Sequence, residues 1–141
     1  MKIAVGSDHG GFELKELVVQ FLGELGHEVE SVGCHSLESV DYPDIAEKVC
    51  HQVQEGHCEG GILVCGTGIG VSIAANRHKE IRAALCHEAF TARMSREHNN
   101  SNVLCLGGRV IGPEIALDIV RTWVETAFAG GRHQRRLDMF S

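Results

Sequence analysis

The sequence predicts an α/β protein, a three-layer α/β/α, Rossmann-like sandwich around a five-stranded parallel sheet. Two observations lead to this fold class. Short runs of apolar residues alternate with longer segments whose apolar residues recur at helical spacing. Five runs of the first kind are present, each separated from the next by a helical segment, which is typical of a parallel sheet covered on both faces.

Each predicted strand is an apolar run bounded by polar residues or glycine. The first run begins at Lys2, and the third ends at a cysteine that precedes a glycine-rich loop. The strands are predicted at residues 2–6, 28–32, 61–65, 81–86 and 103–107.

The helices are predicted from periodicity and from their end signals. Apolar residues predict a first helix up to about Leu25, where Gly26 ends it, and a second helix that begins at Tyr42-Pro43-Asp44. Residues 72–76 are predicted to lie in a short helix, and residues 88–98 are predicted to be helical. The last predicted helix begins at Gly112-Pro113-Glu114, where proline suits the first turn, and its inner side carries Ile115, Ile119, Val120, Trp123 and Val124.

Bulk composition indicates one domain over residues 1–141 and excludes several classes of protein. The formal net charge of −6 argues against a nucleic-acid-binding surface. No apolar run approaches the ~20 residues of a membrane span, and the N-terminus lacks the plan of a signal peptide. Three of the six cysteines, Cys65, Cys86 and Cys105, lie in or beside apolar runs, which indicates buried thiols in a reducing compartment. We therefore expect a cytoplasmic protein.

A parallel sheet of this kind binds ligands beyond the carboxyl ends of its strands. The residues that directly follow each strand are therefore expected to share a site. They are Ser7-Asp8-His9, Cys34-His35, 65–70, His87 and Gly107-Gly108-Arg109.

The loop after the third strand is the strongest of these candidates. Its G-x-G-x-G pattern at residues 66–70 does not match the dinucleotide fingerprint, and the sequence has no G-K-[ST], so a nucleotide site is not expected. Backbone N–H groups of such a loop can bind an anion, and the following helix would favour the thiolate of Cys65. The alternative is a tight turn without a ligand, beside an inert thiol.

Three further groups have both a functional and a structural interpretation. Asp8-His9 could move protons or bind an anion, or Asp8 could only cap the next helix. Arg132 and Arg136, four residues apart, would share a helical face and clamp a phosphate, or belong to a solvated basic tail. The spacing of His98-Asn99-Asn100 favours a helix cap.

Histidines number nine, but none has the spacing of a structural zinc site, so no metal is expected.

Together these pieces resemble the ribose-5-phosphate isomerase B family, within a group that includes galactose-6-phosphate and allose-6-phosphate isomerases. The matching segments occur in the family's order over nearly the whole chain. They are KIAVGSDHGGFELK, DYP at 41–43, GGILVCGTGIGVSIAAN, SREHNNSNVLCLGGRVIG at 95–112 and GGRHQRR. One departure is Asn100, where relatives can carry aspartate.

The resemblance implies a role for each matched residue. Cys65 would take the proton from carbon 2 of the substrate, with Thr67 close to the thiol. Asp8 would handle protons on the substrate hydroxyls, and His98 would assist opening of the furanose ring. The enediolate oxygens would accept N–H bonds from Gly66, Thr67, Gly68, Ile69 and Gly70.

The other matched residues would bind the substrate. Tyr42 would lie near the sugar, and Asn99 and Arg109 would reach the site from the second subunit of a homodimer. The phosphate would be held by His9 together with Arg132 and Arg136 of the C-terminal segment 130–141.

The family implies an aldose–ketose isomerase that needs no metal or organic cofactor and shares its active sites across a homodimer, or a tetramer built from it. The implied reaction interconverts D-ribose 5-phosphate and D-ribulose 5-phosphate through an enediolate. Two alternatives stay open: an isomerase of a six-carbon sugar phosphate such as allose 6-phosphate, and a phosphosugar-binding module without turnover.

Overall fold

The computed structural model of the chain describes residues 1–33 and 36–141, so the predicted pair Cys34-His35 lies outside the described residues. The strands are β1 (Lys2–Ser7), β2 (Glu28–Gly33), β3 (Gly60–Cys65), β4 (Ala83–Leu85) and β5 (Val103–Gly107). The helices are α1 (Phe12–Glu24), α2 (Tyr42–Gln54), α3 (Ile69–Ala75), α4 (Ala89–Glu97), α5 (Pro113–Glu125) and α6 (Arg132–Asp138), and a 3₁₀ turn at His9–Gly11 joins β1 to α1.

The five strands form one sheet in the order β2-β1-β3-β5-β4, and every neighbouring pair is parallel. The chain moves from β1 to β2 on one side, and β3, β5 and β4 continue the sheet on the other. The strand order therefore reverses between β1 and β3. Ligands of open parallel sheets bind beside such a reversal, at the carboxyl ends of the strands.

Helices cover both faces of the sheet, which confirms the predicted three-layer sandwich. Alternate residues of a strand point to opposite faces, so Ile3 and Val5 of β1 pack on one side and Ala4 on the other. The first side is covered by α1, α4 and α5, and the second by α2 and α3. Both layers are apolar and buried. None of the helices in the described part of the chain is long and apolar enough to cross a membrane.

The predicted fourth strand, 81–86, is too long, because β4 contains three residues only. It is an edge strand, and side-chain amides bond to backbone N–H groups where it begins. Arg82 N–H donates to Oδ1 of Asn102, and Ala83 N–H donates to Oδ1 of Asn76, each at 2.8 Å. These bonds come from side chains 20 and 7 residues away along the chain, outside the apolar run itself, so the composition of that run does not predict where the strand begins.

The prediction for α5 is correct in position but wrong for Ile115, whose side chain is 49% exposed. The buried stripe begins one position later, at Ala116, and continues through Trp123 and Val124. The C-terminal segment 130–141, expected only to place two arginines on one helical turn, contains the complete short helix α6.

Candidate active site

The carboxyl ends of β1 and β3 meet, as the strand order requires. Asp8 N–H donates to the carbonyl of Val64 at 3.2 Å, which joins the end of β1 to β3. The side chain of Asp8 is 9% exposed, and its Oδ1 accepts from Gly11 N–H at 3.1 Å. The capping interpretation of Asp8 is therefore confirmed, and the carboxylate is held rigidly beside the end of β3.

The loop after β3 directs a backbone N–H at the cysteine sulfur. Gly68 N–H donates to Sγ of Cys65 over 3.1 Å. Gly68 has a φ of 79°, and a Cβ at this position would lie 2.5 Å from Cδ1 of Leu85 and 2.9 Å from the carbonyl carbon of Leu106. Both the left-handed backbone and the space therefore require glycine here. Cys65 is 5% exposed, so its thiol is largely shielded from water.

Not every amide of the loop is free for a ligand. The N–H of Ile69 donates to Oγ1 of Thr67 at 3.2 Å, while that of Gly68 points at the cysteine. The oxyanion role implied for these two amides stays a prediction. Thr67 lies in the same turn as Cys65, and the role implied for it beside the thiol also stays a prediction.

The segment after β5 completes this edge of the site. Gly108 N–H donates to the carbonyl of Cys65 at 2.8 Å, and Arg109 N–H donates to that of Gly66 at 2.9 Å. Nη1 of Arg109 lies 3.3 Å from the place where a Cβ of Gly66 would stand, and Nη2 lies 3.5 Å from the same place at Gly10. Arg109 therefore contacts the loop of its own chain, whereas the resemblance implied that it reaches the site of a second subunit.

The connection from β2 to α2 approaches the same edge. Val40 N–H donates to Nδ1 of His9 at 3.3 Å, which leaves Nε2 of that ring to donate to a ligand. The ring of Tyr42 covers Gly70: its Cε1 and hydroxyl oxygen lie 2.7 and 3.2 Å from the place of an added Cβ. Asp8, His9, Tyr42, residues 65–70 and Arg109 thus form one cluster, called the thiol half-site below.

The other predicted residues lie beyond the amino ends of the strands, called the amino edge below, on the side of the sheet opposite the thiol half-site. His98 caps the C-terminus of α4, as its spacing favoured. Because α4 precedes a parallel strand, its C-terminus lies at the amino edge, where β5 begins. Five residues of β5 separate this edge from the thiol half-site, or ~13 Å at about 3.3 Å per residue. Asn99 follows His98 at this edge.

Helix α6 carries the two arginines to the same edge as His98. The ring of His133 stacks on that of His98 with centroids 4.3 Å apart and 15° between the planes, and Ala129 N–H donates to the carbonyl of Glu97 at 3.0 Å. Arg132 and Arg136 both belong to α6 and are exposed. His98, Asn99, Arg132 and Arg136 are called the cationic half-site below.

The charges of the cationic half-site act on His133, whose ring stacks on that of His98. Desolvation, followed by the positive charges of His98, Arg132 and Arg136, lowers the pKa of His133. A concentration of positive charge on a chain with a net charge of −6 is suited to an anionic ligand.

The other buried cysteines behave as core residues. Burial raises the pKa of Cys50 to about 12, and it also raises the pKa values of Cys86 and Cys105. These thiols therefore stay protonated at neutral pH. The described residues contain no group of three or more His, Cys, Asp or Glu side chains placed to hold a metal ion.

The sequence did not indicate Val40, which acts through its backbone N–H and leaves no signature in side-chain type. Gly107 was recognised only as a strand end. A Cβ on Gly107 would lie 2.5 Å from the carbonyl oxygen of Thr67, so glycine is required for β5 to approach the loop. The paired glycines at 107–108 were the available signal for this close contact.

The strand order reverses between β1 and β3, and a buried thiol, a carboxylate and a glycine-rich loop lie together beyond that point. This arrangement is that of an α/β enzyme. The chain belongs to the Ribose/Galactose Isomerase family, whose model matches residues 3–140. Its fold and most of its length are shared with the relatives described next.

Ribose-5-phosphate isomerase B of Escherichia coli (strain K12) is 50% identical over 137 residues, covering 97% of this chain and 92% of that protein. The structure of ribose-5-phosphate isomerase B from Clostridium thermocellum matches with a TM-score of 0.97 and 54% identity, covering 99% of this chain and 94% of that one. D-erythrulose-4-phosphate isomerase of Pectobacterium atrosepticum is 40% identical over 132 residues, covering 93% of this chain and 87% of that protein.

Proposed function

We propose that the protein interconverts D-ribose 5-phosphate and D-ribulose 5-phosphate through an enediolate, with Cys65 as the base. The observation that carries the proposal is the hydrogen bond from Gly68 N–H to the cysteine sulfur at the switch point of the sheet. An N–H directed at the sulfur is placed to donate to a thiolate, which is the form that accepts a proton. The relatives named ribose-5-phosphate isomerase B support the choice of substrate.

In the proposed reaction, the thiolate of Cys65 takes the proton from carbon 2 of the open-chain aldose. The electron pair forms the carbon–carbon double bond of the enediolate, and the negative charge develops on the oxygen at carbon 1. Asp8 moves a proton between the two neighbouring oxygens, and Cys65 returns its proton to carbon 1. The buried position of Asp8 beside β3 supports this role.

The complete site requires two chains in this proposal. One sheet separates the thiol half-site from the cationic half-site, so a single chain does not bring Cys65 to His98, Arg132 and Arg136. A homodimer in which the thiol half-site of one chain faces the cationic half-site of the other supplies both. His98 then assists ring opening, while Asn99, Arg132, Arg136 and His9 hold the distal end of the substrate. A two-fold axis produces two identical sites.

A second candidate is an isomerase of another sugar phosphate. The relative from Pectobacterium atrosepticum is named for a four-carbon substrate at 40% identity, so similarity at this level does not determine the sugar. The six-carbon substrates implied by the wider group belong to the same test. A longer substrate places its phosphate farther from its reacting carbons. The arrangement of the two chains sets the distance between the thiol half-site and the cationic half-site, and therefore the substrate length that fits.

The test is a comparison of kcat/KM for four-, five- and six-carbon sugar phosphates, with a chelator present. We expect the highest value for ribose 5-phosphate, no loss on chelation, and loss of activity in Cys65→Ala. A preference for another sugar assigns the second candidate. Tight binding of a sugar phosphate without turnover would assign a binding module. Full activity in Cys65→Ala would exclude the proposed base.

A further inference from the structure

Two arginines donate hydrogen bonds to the turn between α4 and β5. Nε of Arg82 donates to the carbonyl oxygens of Asn99 and Asn100, at 3.1 and 3.0 Å. Nη1 of Arg96 donates to Oδ1 of Asn100 at 3.0 Å and to the carbonyl oxygen of Ser101. The guanidinium groups are therefore fixed in place, and every one of these acceptors is neutral.

Neither arginine has an anionic partner in the described parts of the chain, 1–33 and 36–141. No carboxylate oxygen there lies within 4.0 Å of a nitrogen of Arg82 or Arg96. Both side chains are half-buried. Burial, followed by the positive charge of Arg82, lowers the pKa of Arg96. Charges removed from water are normally paired, so two neighbouring guanidinium groups held only by neutral acceptors lack a counter-ion.

The two arginines open onto a common cleft of about 380 Å³ at the amino edge of the sheet. The N-terminal residue Met1 also lines this cleft, and its amino group contacts Nδ1 of His27 at 3.4 Å. Glu59 is the one acidic residue among the lining residues that the structure describes. The lining is completed by Val53, Gly60, Asn100, Ser101, Asn102 and Trp123. Positive charge is therefore in excess within this cleft.

We propose that this cleft is an anion site, separate from the proposed active site, which binds phosphate or the phosphate group of a small metabolite between Arg82 and Arg96. A guanidinium group presents paired N–H donors that match two oxygens of a phosphate. The hydrogen bonds to the turn use Nε of Arg82 and Nη1 of Arg96, and Nε of Arg96 donates to the Thr126 carbonyl at 3.1 Å. Nη1 and Nη2 of Arg82 and Nη2 of Arg96 are not used by these bonds and are the proposed donors to the anion. The cleft is within the size range of small-molecule pockets.

The site is distinct from the arginines proposed to hold the substrate phosphate, since neither Arg132 nor Arg136 lines the cleft. It is also built on rigid parts: Trp123 Nε1 donates to Oγ of Ser101 at 2.9 Å behind the turn. Binding of an anion here would therefore stabilise the folded protein by linkage, whatever happens at the active site.

The sharpest test changes one atom at the point between the arginines. Asn100 has a φ of 46°, a conformation that asparagine and aspartate both tolerate. Asn100→Asp therefore places a carboxylate within 3.0 Å of Nη1 of Arg96 without a change of shape. We expect this variant to be more stable than the parent protein in the absence of phosphate, because it supplies the missing charge internally.

The measurement is thermal unfolding during titration with inorganic phosphate at constant ionic strength, in an Arg132→Ala/Arg136→Ala background that removes the proposed substrate-phosphate arginines. We expect phosphate to raise the melting temperature in this background and to lose most of that effect when Asn100→Asp or Arg82→Gln is added. The matched control is Arg93→Gln, an exposed arginine over Phe90 outside the cleft, which is expected to keep the full response.

Two results would overturn the proposal: no response to phosphate in the double-alanine background, or an equal response with and without Asn100→Asp and Arg82→Gln. If Asn100→Asp does not fold, the Arg82→Gln comparison still decides. Replacing inorganic phosphate by ribose 5-phosphate at equal concentration identifies the source, provided that only the part of the shift that Arg82→Gln removes is compared, because the sugar phosphate also binds the proposed active site. A larger Arg82-dependent shift with the sugar phosphate assigns the cleft to a metabolite, and an equal one assigns it to the free ion.

Discussion

The amide of Gly68 donates to the sulfur of Cys65 over 3.1 Å, within a turn that only glycine can form. Gly68 therefore has a structural role, in the left-handed turn, and a proposed chemical role, at the thiol. The left-handed conformation of Gly68 brings the loop against β5, and the same conformation aims the N–H at the thiol. A change at Gly68 is therefore expected to affect both the fold and the reaction.

Gly68→Ala is expected to lower kcat and the free energy of unfolding together. An added Cβ would approach Leu85 and Leu106 and oppose a φ of 79°, at a cost of at least ~1 kcal/mol. Displacement of the amide removes the donor to Sγ of Cys65; a hydrogen bond to a charged group is worth about 1.5–3 kcal/mol, or roughly 10- to 100-fold in kcat. Isomerase assays and denaturant unfolding measure both effects. The control is Gly23→Ala, since an added Cβ at Gly23 meets no atom within 4 Å; unchanged kcat in Gly68→Ala would contradict this role.

Mixing two impaired variants is expected to restore activity if each site uses both chains, when the substrate concentration is kept well below the KM of the arginine variant. Cys65→Ala destroys the thiol half-site, and Arg132→Ala/Arg136→Ala weakens the cationic one. A mixed dimer contains one site with both halves intact, so random 1:1 exchange restores about one quarter of the wild-type sites. The measurement is activity after co-expression, with mixed dimers verified by mass spectrometry. Verified mixed dimers without restored activity would show that each site belongs to one chain.

Arg132→Ala is expected to raise KM for the sugar phosphate with a small change in kcat. The phosphate does not react, so its contacts act on the ground state and the transition state alike. The matched control is Arg135→Ala, an exposed arginine of the same helix α6 outside the i, i+4 pair, which is expected to keep both constants near the wild-type values. A loss confined to kcat would contradict a phosphate-clamping role.

Stability is expected to fall as the pH rises above about 9. Burial raises the pKa of Cys50 from 9.0 to about 12, so the unfolded chain loses this proton while the native chain keeps it. The unfolded state then binds fewer protons, and the free energy of unfolding decreases by ~1.4 kcal/mol per pH unit for this thiol until the pH reaches the native pKa. Denaturant unfolding between about pH 8 and about pH 11 measures the slope. Cys50→Ala is expected to have a shallower slope, and identical slopes would contradict the assignment.

Two serine-to-alanine changes are expected to have opposite effects on stability. Oγ of Ser7 is fully buried and has no hydrogen-bond partner among the described residues, so Ser7→Ala is expected to stabilise by ~1 kcal/mol. Oγ of Ser101 accepts from Trp123 Nε1 and contacts Oγ of Ser95, each at 2.9 Å. Ser101→Ala leaves the indole N–H without its acceptor and is expected to destabilise by ~1–3 kcal/mol. Equilibrium unfolding decides; equal signs would contradict the hydrogen-bond assignments.

Much of the fold was predictable because its signals are local. The apolar runs of β1 and β3 and the helical spacing of α1 and α5 follow from which residues are adjacent along the chain. Where an element depended on distant partners, the prediction failed. Asn76 and Asn102 bond to the backbone where β4 begins, and the packing of α5 leaves Ile115 outside. Neither effect is visible in a short window of sequence.

The candidate site divides in the same way. Asp8, residues 65–70 and Arg109 were expected to share an edge because each follows a parallel strand, and the structure brings them together. His98 and Arg132 carry no signal of their position relative to that edge. Resemblance supplied their expected roles, but the direction of α4 and the docking of α6 put them on the far side of the sheet.

The sequence by itself determined the fold class, the residues that can share the carboxyl edge and the family, because these depend on residue type, period and order. Only the tertiary structure decided that the predicted site is in two halves at opposite edges of one sheet. It also decided that Gly68 N–H is directed at Cys65, and that Arg82 and Arg96 line one cleft without a carboxylate partner among the described residues. The physical reason is that distances between side chains remote in sequence are set by strand order and helix direction, which a linear pattern does not contain.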